Sequence, residues 1–485
     1  MSGTVPLRIC LATVHQNRRF IPLALLYIKA YLVEHDLCAF EAVDIAEFVP
    51  DATANEIVER ILRQSPDVVG LSCYVWNITV LMEASRRIKA LRPDTVIVLG
   101  GPEVGPVAAS VLRRYRDIDI IVKSEGEIPF SELVDRWNRR AGVSDVKGIC
   151  FRDGASIVDT GEAPPLMDLN HLSSPHLVEY ANHHDRIVCI ETQRGCVFKC
   201  NFCFYNKDLS IRNRRFDLDR VKQEILFWLE RDVYEIYLMD PVFNLYAERT
   251  KDICRFVAEH NTRRVRFHAE VWAEFIDEEL AALMRDAHFT FLEVGLQTTD
   301  TTALATVERR LKMEKFLKGI GYLKQYKLDF ELQLIYGLPG ETMSSFRKSL
   351  EFAVSLDPPD LAVYPLMVLP GTELWRKADL IGLKFDAEPP YYVRSHSSMT
   401  EDEIAYGWKI VSALRRLGDS KAMRLLGRED GVSFSDVVDS WIAWEPQQGE
   451  APIVEQVDRF LSHFCGEHHI PPGFYQQFAA REFTE

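Results

Sequence analysis

The sequence predicts an α/β protein in three parts: a doubly wound parallel sheet, a partial (β/α)6 barrel and a helical C-terminal region. Three observations carry this. Five short apolar runs alternate with amphipathic stretches up to about residue 140, a second series of six such units begins at Ile187, and after about Gly382 the alternation gives way to helical spacing. At 485 residues the chain exceeds what one core organises, so two or three domains are expected.

In the first series the strand runs are Leu7 to Leu11, Phe40 to Ile45, Val68 to Ser72, Val96 to Leu99 and Ile118 to Val122. Helical stretches fall between and after them, around Leu23 to Val33, Asn55 to Leu62, Leu81 to Leu91, Val107 to Tyr115 and Pro129 to Trp137. Such alternation implies parallel pairing, with ligands at the carboxyl ends of the strands, and sets a first domain over 1–150. Residues 151–185 lose the rhythm, contain Ala163-Pro164-Pro165, and read as a connector.

The barrel is expected over 186–381, with strands at Ile187 to Thr192, Glu235 to Met239, Val265 to Ala269, Thr290 to Leu296, Phe330 to Tyr336 and Leu361 to Val368. Its first helix carries Leu218, Val221, Ile225 and Trp228 on one face behind Asp217 as N-cap. In the tail, 382–485, Thr400-Glu-Asp-Glu403 is a capping box, and Ile404, Trp408 and Val411 follow at helical spacing. Ser435 to Trp444 and Ile453 to Phe464 read as further helices.

Fifty-seven basic against 72 acidic residues leave a net charge of −15, which argues against a nucleic-acid partner. No apolar run reaches the length of a membrane span, and the start, Met-Ser-Gly-Thr-Val-Pro, lacks the apolar core of a signal peptide. A cytoplasmic protein without a membrane partner is expected. The short basic run Arg212 to Arg215 reads as a solvated loop or one facing a cofactor carboxylate. Seven of the ten cysteines, Cys10, Cys38, Cys73, Cys150, Cys189, Cys254 and Cys465, are scattered in apolar contexts and read as reduced, buried thiols.

The other three stand in Gly195-Cys-Val-Phe-Lys-Cys-Asn-Phe-Cys-Phe204 at the end of an apolar strand. Cys196, Cys200 and Cys203 can hold three irons of a [4Fe-4S] cluster and leave the fourth open to a ligand. The alternative is a structural zinc site, which needs four closed ligands, and His183 and His184 just upstream are the available fourth donors.

This Cys-x3-Cys-x2-Cys spacing, with Phe202 before the last cysteine, resembles the signature of radical S-adenosylmethionine (SAM) enzymes, in which the open iron chelates SAM. With the domain order, the whole chain resembles the cobalamin-binding branch of that superfamily, whose best-known members are methylases. The resemblance implies a Rossmann-like cobalamin-binding domain, a TIM-type radical SAM barrel and a substrate-capping tail. It extends to Met239-Asp-Pro-Val-Phe-Asn244, His268-Ala-Glu270, Glu293-Val-Gly-Leu-Gln297, Gln333-Leu-Ile-Tyr-Gly-Leu-Pro-Gly-Glu341 and Val368-Leu-Pro-Gly-Thr372. On those segments it assigns SAM contacts to Phe202, Asp240, Glu270, Glu293, Gln297, Gln333, Tyr336 and Leu369. Polar groups on apolar strands are costly to bury unpartnered, and a ligand is a natural partner; a bond to a neighbouring strand or loop is the alternative for each. Gly337, Gly340 and Gly371 serve equally as turn glycines.

In the first domain the resemblance covers three strand ends, Ser72-Cys-Tyr-Val-Trp-Asn77, Leu99-Gly-Gly-Pro-Glu103 and Ser124-Glu-Gly-Glu127. It implies cobalamin contacts from Ser72, Tyr74, Val75 and Trp76, from Gly100, Gly101, Pro102 and Glu103, and from Glu125, Gly126 and Glu127. Adjacent glycines let backbone approach a flat ligand, though a tight turn needs them as well. One departure stands out. Many cobalamin domains carry Asp-x-His-x-x-Gly after the first strand; here Thr13-Val-His-Gln-Asn-Arg-Arg19 replaces it, and His15 lacks the spacing. Cobalamin is therefore expected base-off with no protein imidazole on cobalt, and Trp76 either blocks the lower face or packs in the core.

The function implied is a C-methyltransferase acting on an unactivated carbon of a small metabolite, similar in length and domain order to the methylases of carbapenem antibiotic biosynthesis. A 5′-deoxyadenosyl radical from SAM would take the hydrogen and cobalamin would deliver the methyl group. The partners are the small-molecule substrate and a one-electron reductant such as flavodoxin or ferredoxin. Tyr391, Tyr392 and Arg394, after Pro389-Pro390, are candidate substrate contacts, Arg394 suiting an anionic metabolite. A ring-forming enzyme without methyl transfer, and an iron–sulfur regulator without turnover, are the alternatives. A methylthiotransferase would need three more cluster cysteines, and Cys10, Cys38 and Cys73 make no apparent set.

Overall fold

The computed structural model describes residues 7–176, 185–206, 213–416, 421–427, 429, 431–445 and 453–471. Met1 to Pro6, His183, His184 and Arg212 lie outside them.

Strands β1 (Ile9–Val14), β2 (Val43–Phe48), β3 (Val68–Ser72), β4 (Val96–Gly100) and β5 (Ile120–Val122) pair in parallel in the order β2-β1-β3-β4-β5. Every residue of β1 and β3 is buried, as an apolar run covered by helices on both faces requires. Alternation divides the side chains: Cys10, Val69, Leu99 and Ile121 enter one core layer, and Ile9, Leu11, Val68 and Val98 the other. Two boundaries differ from expectation. Phe40–Ala42 forms a single 3-10 turn, so the second strand begins at Val43. The stretch expected as a connector opens with β6 (Ile149–Asp153) and β7 (Ser156–Asp159), an antiparallel hairpin that extends the sheet to seven strands. Its two-residue turn needs Gly154, at φ +57°.

The second sheet begins with β8 (Ile187–Ile190). The two-residue strands β9 (Gln193–Arg194) and β10 (Arg214–Arg215) form a ribbon beyond its end. Strands β11 (Glu235–Leu238), β12 (Arg266–Val271), β13 (Phe289–Gln297), β14 (Phe330–Tyr336) and β15 (Asp360–Pro365) then follow β8 in parallel and in sequence order, a six-stranded open barrel. Helices 218–229, 247–260, 278–286, 313–325 and 343–355 alternate with these strands. Asp217 does occupy the N-cap of the first, but its side chain makes no capping bond.

The tail is less purely helical than expected. A hairpin of β16 (Lys384–Phe385) and β17 (Val393–Ser395) precedes the helix at 401–416, whose Thr400–Glu403 capping box is formed. Helices 434–444 and 453–467 bring Trp441, Phe460 and Phe464 into the same core as the barrel. The helix Leu23–Glu34 of the first domain serves two cores, Leu25 and Leu32 packing under its own sheet and Leu26 and Tyr27 in the barrel cluster.

Candidate cofactor site at the strand ends

The cysteine loop is built at the end of β8. Asp240, fully buried, accepts hydrogen bonds from the Thr192 amide at 2.7 Å, the Gln193 amide at 3.1 Å and the Thr192 hydroxyl, and so clips the loop's entry to β11. Burial pushes its carboxyl up to about 7 against those bonds. The β9–β10 ribbon and an Asn213 Nδ2 bond to the Gly195 carbonyl at 2.9 Å close the base. At the far end the Asn201 amide donates to Val307 O at 3.1 Å and Asn201 Nδ2 to Thr306 O at 2.8 Å. Phe202, half-buried, follows.

The three thiols share this loop. Burial raises Cys196 and pushes Cys203 up to about 12, and the neighbouring thiols add to both shifts. Such thiols stay protonated until a metal displaces the proton. Among the described residues no three donor side chains converge as a ready metal site, these three included. Arg309 sets its guanidinium 3.9 Å from Cys200 Sγ and 4.5 Å above the Trp272 ring, itself stacked on Phe198 at 3.7 Å.

Beside the loop, Gln297 Oε1, Asn201 Oδ1 and Arg309 Nε are buried without a partner. Gln297 takes a left-handed φ of +69°, and its amide folds over Gly295, where a Cβ would collide with it. Unpartnered polar atoms gathered around Cys200 and the end of β13 fit a polar ligand there, as SAM on a cluster would be.

Deeper in the barrel, His268 lies 2.8 Å from Glu293 and 3.4 Å from Glu235, with Tyr237 stacked on its ring at 4.0 Å. Burial opposes its charge, but the bonds to Glu235 and Glu293 prevail and hold it at about 9. Gln333 donates to Glu293 at 2.9 Å and to Glu331 at 2.8 Å, and Tyr237 donates to Glu270 at 3.2 Å. Burial, with the Glu293 charge, pushes Glu270 up to about 8; the His268 bond overcomes burial at Glu293 and holds it low. Glu270, Glu293 and Gln333 thus form one network, whose hub, His268, was not among the expected site residues.

Two further expected SAM residues make contacts within the protein. Tyr336 is three positions from Gln333, hence on the opposite face of β14, and donates its hydroxyl to the Glu403 carbonyl at 2.7 Å while its ring packs against Gly407. Leu369 is half-buried and its carbonyl accepts from Thr372 Oγ1 at 2.7 Å. Two residues on, Gly371 has φ +83°, and a Cβ there would strike Pro106 of the first domain.

At the carboxyl end of β3 Ser72 is buried, Val75 half-buried, and Tyr74 and Trp76 stack at 4.4 Å with planes 6° apart. Trp76 is 47% exposed although its indole N–H is held by Val14 O at 3.0 Å. An exposed indole stacked on a partly buried tyrosine at a parallel strand end fits a flat ligand such as a corrin. Gly101 has φ +105° and its Cβ would lie 2.5 Å from Cys73 O, so this glycine answers to the turn itself; Gly100 meets only Val122, at 3.9 Å. Pro102 beside it is half-buried, and Gly126 would meet Ile28 at 3.3 Å.

The acidic residues expected at cobalamin have protein partners. Glu127 lies 2.7 Å from Arg194, Glu125 lies 3.0 Å from Arg214, and Arg194 also reaches Glu191 at 2.9 Å and the Tyr27 ring at 4.7 Å. These two arginines, absent from the expected site, are the paired residues of the β9–β10 ribbon. Glu103 is buried and accepts from Tyr391, and burial pushes it up to about 7 against that bond. Tyr392 meets Trp408 edge-on at 4.5 Å, whereas Arg394 is exposed and paired with Asp386 at 2.6 Å. His15 is bonded to Glu47 at 2.9 Å, and Glu47 also holds Arg186.

Strand ends of two parallel sheets, one bearing the thiols and the other an aromatic plate, therefore face a common junction. The family model described as B12 binding domain matches residues 10–134, and that described as Radical SAM superfamily matches residues 190–353. The chain carries both domains, whose cofactors are cobalamin and a [4Fe-4S] cluster with SAM. It is homologous to cobalamin-dependent radical SAM methyltransferases. TokK of Streptomyces tokunonensis is 28% identical over 377 residues, covering 73% of this chain and 54% of TokK. The 2-(S-pantetheinyl)-carbapenam-3-carboxylate methyltransferase of Streptantibioticus cattleyicolor is 27% identical over 356 residues, 70% of this chain and 52% of that protein. The chain thus spans about half the length of these relatives. In fold it is similar to OxsB, a cobalamin-dependent SAM radical enzyme, with a TM-score of 0.67 at 14% identity over 98% of this chain and 78% of OxsB. Among the described residues no helix is long and apolar enough to cross a membrane.

Proposed function

We propose that this protein is a cobalamin-dependent radical SAM C-methyltransferase that methylates an unactivated carbon of a small metabolite in natural-product biosynthesis. The observation that carries the reading is the junction: Arg194 and Arg214, on either side of the cysteine loop, grip Glu127 and Glu125 of the B12-binding domain. These contacts would hold the two cofactor platforms beside one another, and such positioning is what the protein contributes. The names of the relatives support methyl transfer.

On this reading Cys196, Cys200 and Cys203 ligate the cluster; Gln297, Asn201 and Arg309 complete the SAM side; and Tyr74, Trp76 and Gly100 line the corrin side. When bound, these groups supply hydrogen-atom abstraction and the methyl group. The chain's own work is to clip the loop through Asp240, to keep Glu293 ionised beside His268, and to close the junction through Tyr391 and Glu103. The functional units are the B12-binding domain closed by the β6–β7 hairpin, the barrel over 186–381 and the tail over 382–485, in a reducing cytoplasm with a one-electron carrier and without a nucleic-acid partner.

Anaerobic incubation of loaded protein with reductant, labelled SAM and candidate metabolites tests this by mass spectrometry. Methylated product should appear with 5′-deoxyadenosine and S-adenosylhomocysteine in comparable amounts. Unmethylated, rearranged product with 5′-deoxyadenosine alone would favour the ring-forming reading, and no 5′-deoxyadenosine on reduction would leave a protein without turnover.

A further inference from the structure

The turn after β4 is gripped from two sides. On one side the contacts are the first domain's own: a Cβ on Gly101 would lie 2.5 Å from Cys73 O, one on Gly105 would strike Lys123 O, and the Glu103 amide reaches Cys73 O at 3.4 Å. On the other they belong to the rest of the chain. Tyr391, between β16 and β17, donates its hydroxyl to the buried carboxylate of Glu103. Arg114 meets both oxygens of Glu388, at 2.9 and 3.2 Å, and Pro106 abuts Gly371, where a Cβ would strike it. The Arg114 and Glu388 side chains are 58% and 62% exposed, so solvent screens that pair and the buried bond of Tyr391 carries most of the hold.

Tyr391 is itself fixed to the barrel. It is 8% exposed, its carbonyl accepts from Val368 N at 3.0 Å, and its ring meets Trp375 edge-on at 5.4 Å. Two residues on, Val393 N donates to Leu366 O at 3.2 Å. Tyr391 also holds a left-handed φ of +59°, a conformation that costs a non-glycine residue energy and persists only where its surroundings impose it. A strained backbone anchored just past β15 thus presents the phenol to Glu103.

We propose that Tyr391 is a positioning residue for cobalamin: through Glu103 it holds the turn 100–103 in the form that retains the cofactor. This role rests on the reading of that turn as part of the corrin side. It places Tyr391 with cobalamin, whereas the sequence suggested a substrate contact. Retention of the cofactor is then a property of the whole chain, because one half of the clamp on the turn is supplied by the barrel and the tail.

The test follows release of radiolabelled hydroxocobalamin from the full, loaded chain during a chase with excess unlabelled cofactor. Tyr391→Phe should speed release by about tenfold, with bound iron at the wild-type value. Lys384→Ala, an exposed change in the same hairpin, should leave release unchanged. A hydroxyl that served folding alone would lower the urea midpoint of cofactor-free protein and leave release at the wild-type rate; that result, or an equal acceleration by Lys384→Ala, would overturn the role. Hydrogen exchange on the wild-type chain needs no variant. Added hydroxocobalamin should slow exchange over 386–393 by about tenfold, as well as over 100–103, because the two segments hold one another. Protection confined to 100–103 would count against Tyr391 equally. Wild-type protein that retains no hydroxocobalamin would sink the corrin reading and this role together, whereas equal release from wild type and Tyr391→Phe would sink the role alone.

Discussion

Arg194 and Glu127 meet at 2.7 Å across the junction of the two large domains, with side chains only 11% and 7% exposed. Arg194 stands two residues before Cys196 and also holds Glu191, so one cation ties the domain contact to the base of the metal loop. Replacing it strands the buried Glu127 and the half-buried Glu191. Arg194→Met should destabilise the protein by about 3–5 kcal/mol, and adding Glu127→Gln should restore part of that. A double-mutant cycle in urea unfolding checks it, and bound iron should fall in parallel.

Alanine at Cys196, Cys200 or Cys203 should abolish SAM cleavage and reduce iron from about four per chain. Cys254→Ala, at a fully buried packing thiol, should cost about 1 kcal/mol and leave iron unchanged. Iron analysis with thermal melts separates the two outcomes.

Stability should fall as pH rises. Burial leaves Glu103 and Asp240 at about 7 and Glu341 at about 8, above the ordinary 4.5 of a glutamate and 3.8 of an aspartate. The folded state binds their protons more tightly, so the stability they lend is complete below about pH 4.5 and is lost as pH climbs through 7 and 8. His268, held at about 9 against an ordinary 6.5, adds stability that disappears as pH passes 9. Urea midpoints of cofactor-free protein should therefore decline from pH 5 to pH 9, and Glu341→Gln should flatten the part near pH 8.

Gly407→Ala would drive a Cβ into the Tyr336 ring. The helix at 401–416 would have to lift from β14, breaking the Tyr336 bond to Glu403 O, at a cost of about 1–3 kcal/mol or more. A lowered melting temperature of the intact chain, with far-ultraviolet dichroism at low temperature unchanged, checks it.

Cob(II)alamin in the loaded protein should show no nitrogen superhyperfine coupling in EPR. The histidine after β1, His15, is committed to Glu47 and lacks the motif spacing, so it offers cobalt no imidazole. Resolved nitrogen splitting would contradict this.

The parallel strands of the first sheet were legible because strands covered on both faces are written as apolar runs, and in the barrel β14, which alternates buried and half-buried positions, falls on Phe330 to Tyr336 as expected. The hairpin of β6 and β7 was written too, in Asp153-Gly154 between apolar pairs, but the absence of βα rhythm concealed it. Counting by twos from Gln333 would have turned Tyr336 outward. Arg194 and Arg214 were not legible, because their partners Glu127 and Glu125 are 67 and 89 positions away and a long-range ion pair leaves no period in a sequence. Asp240 carried a correct signal of special burial, and only the coordinates of Thr192 and Gln193 say what it bonds.

The helix Leu23–Glu34, with Leu25 and Leu32 in one core and Leu26 and Tyr27 in the other, limits how these parts can be exchanged. A B12-binding domain cut out at its sequence boundary would carry an oily strip meant for the barrel, and the barrel left behind would have a gap of the same shape. Transplanting that domain between relatives is therefore a problem of matching this helix face together with the turns whose Glu127, Glu125 and Glu103 meet Arg194, Arg214 and Tyr391.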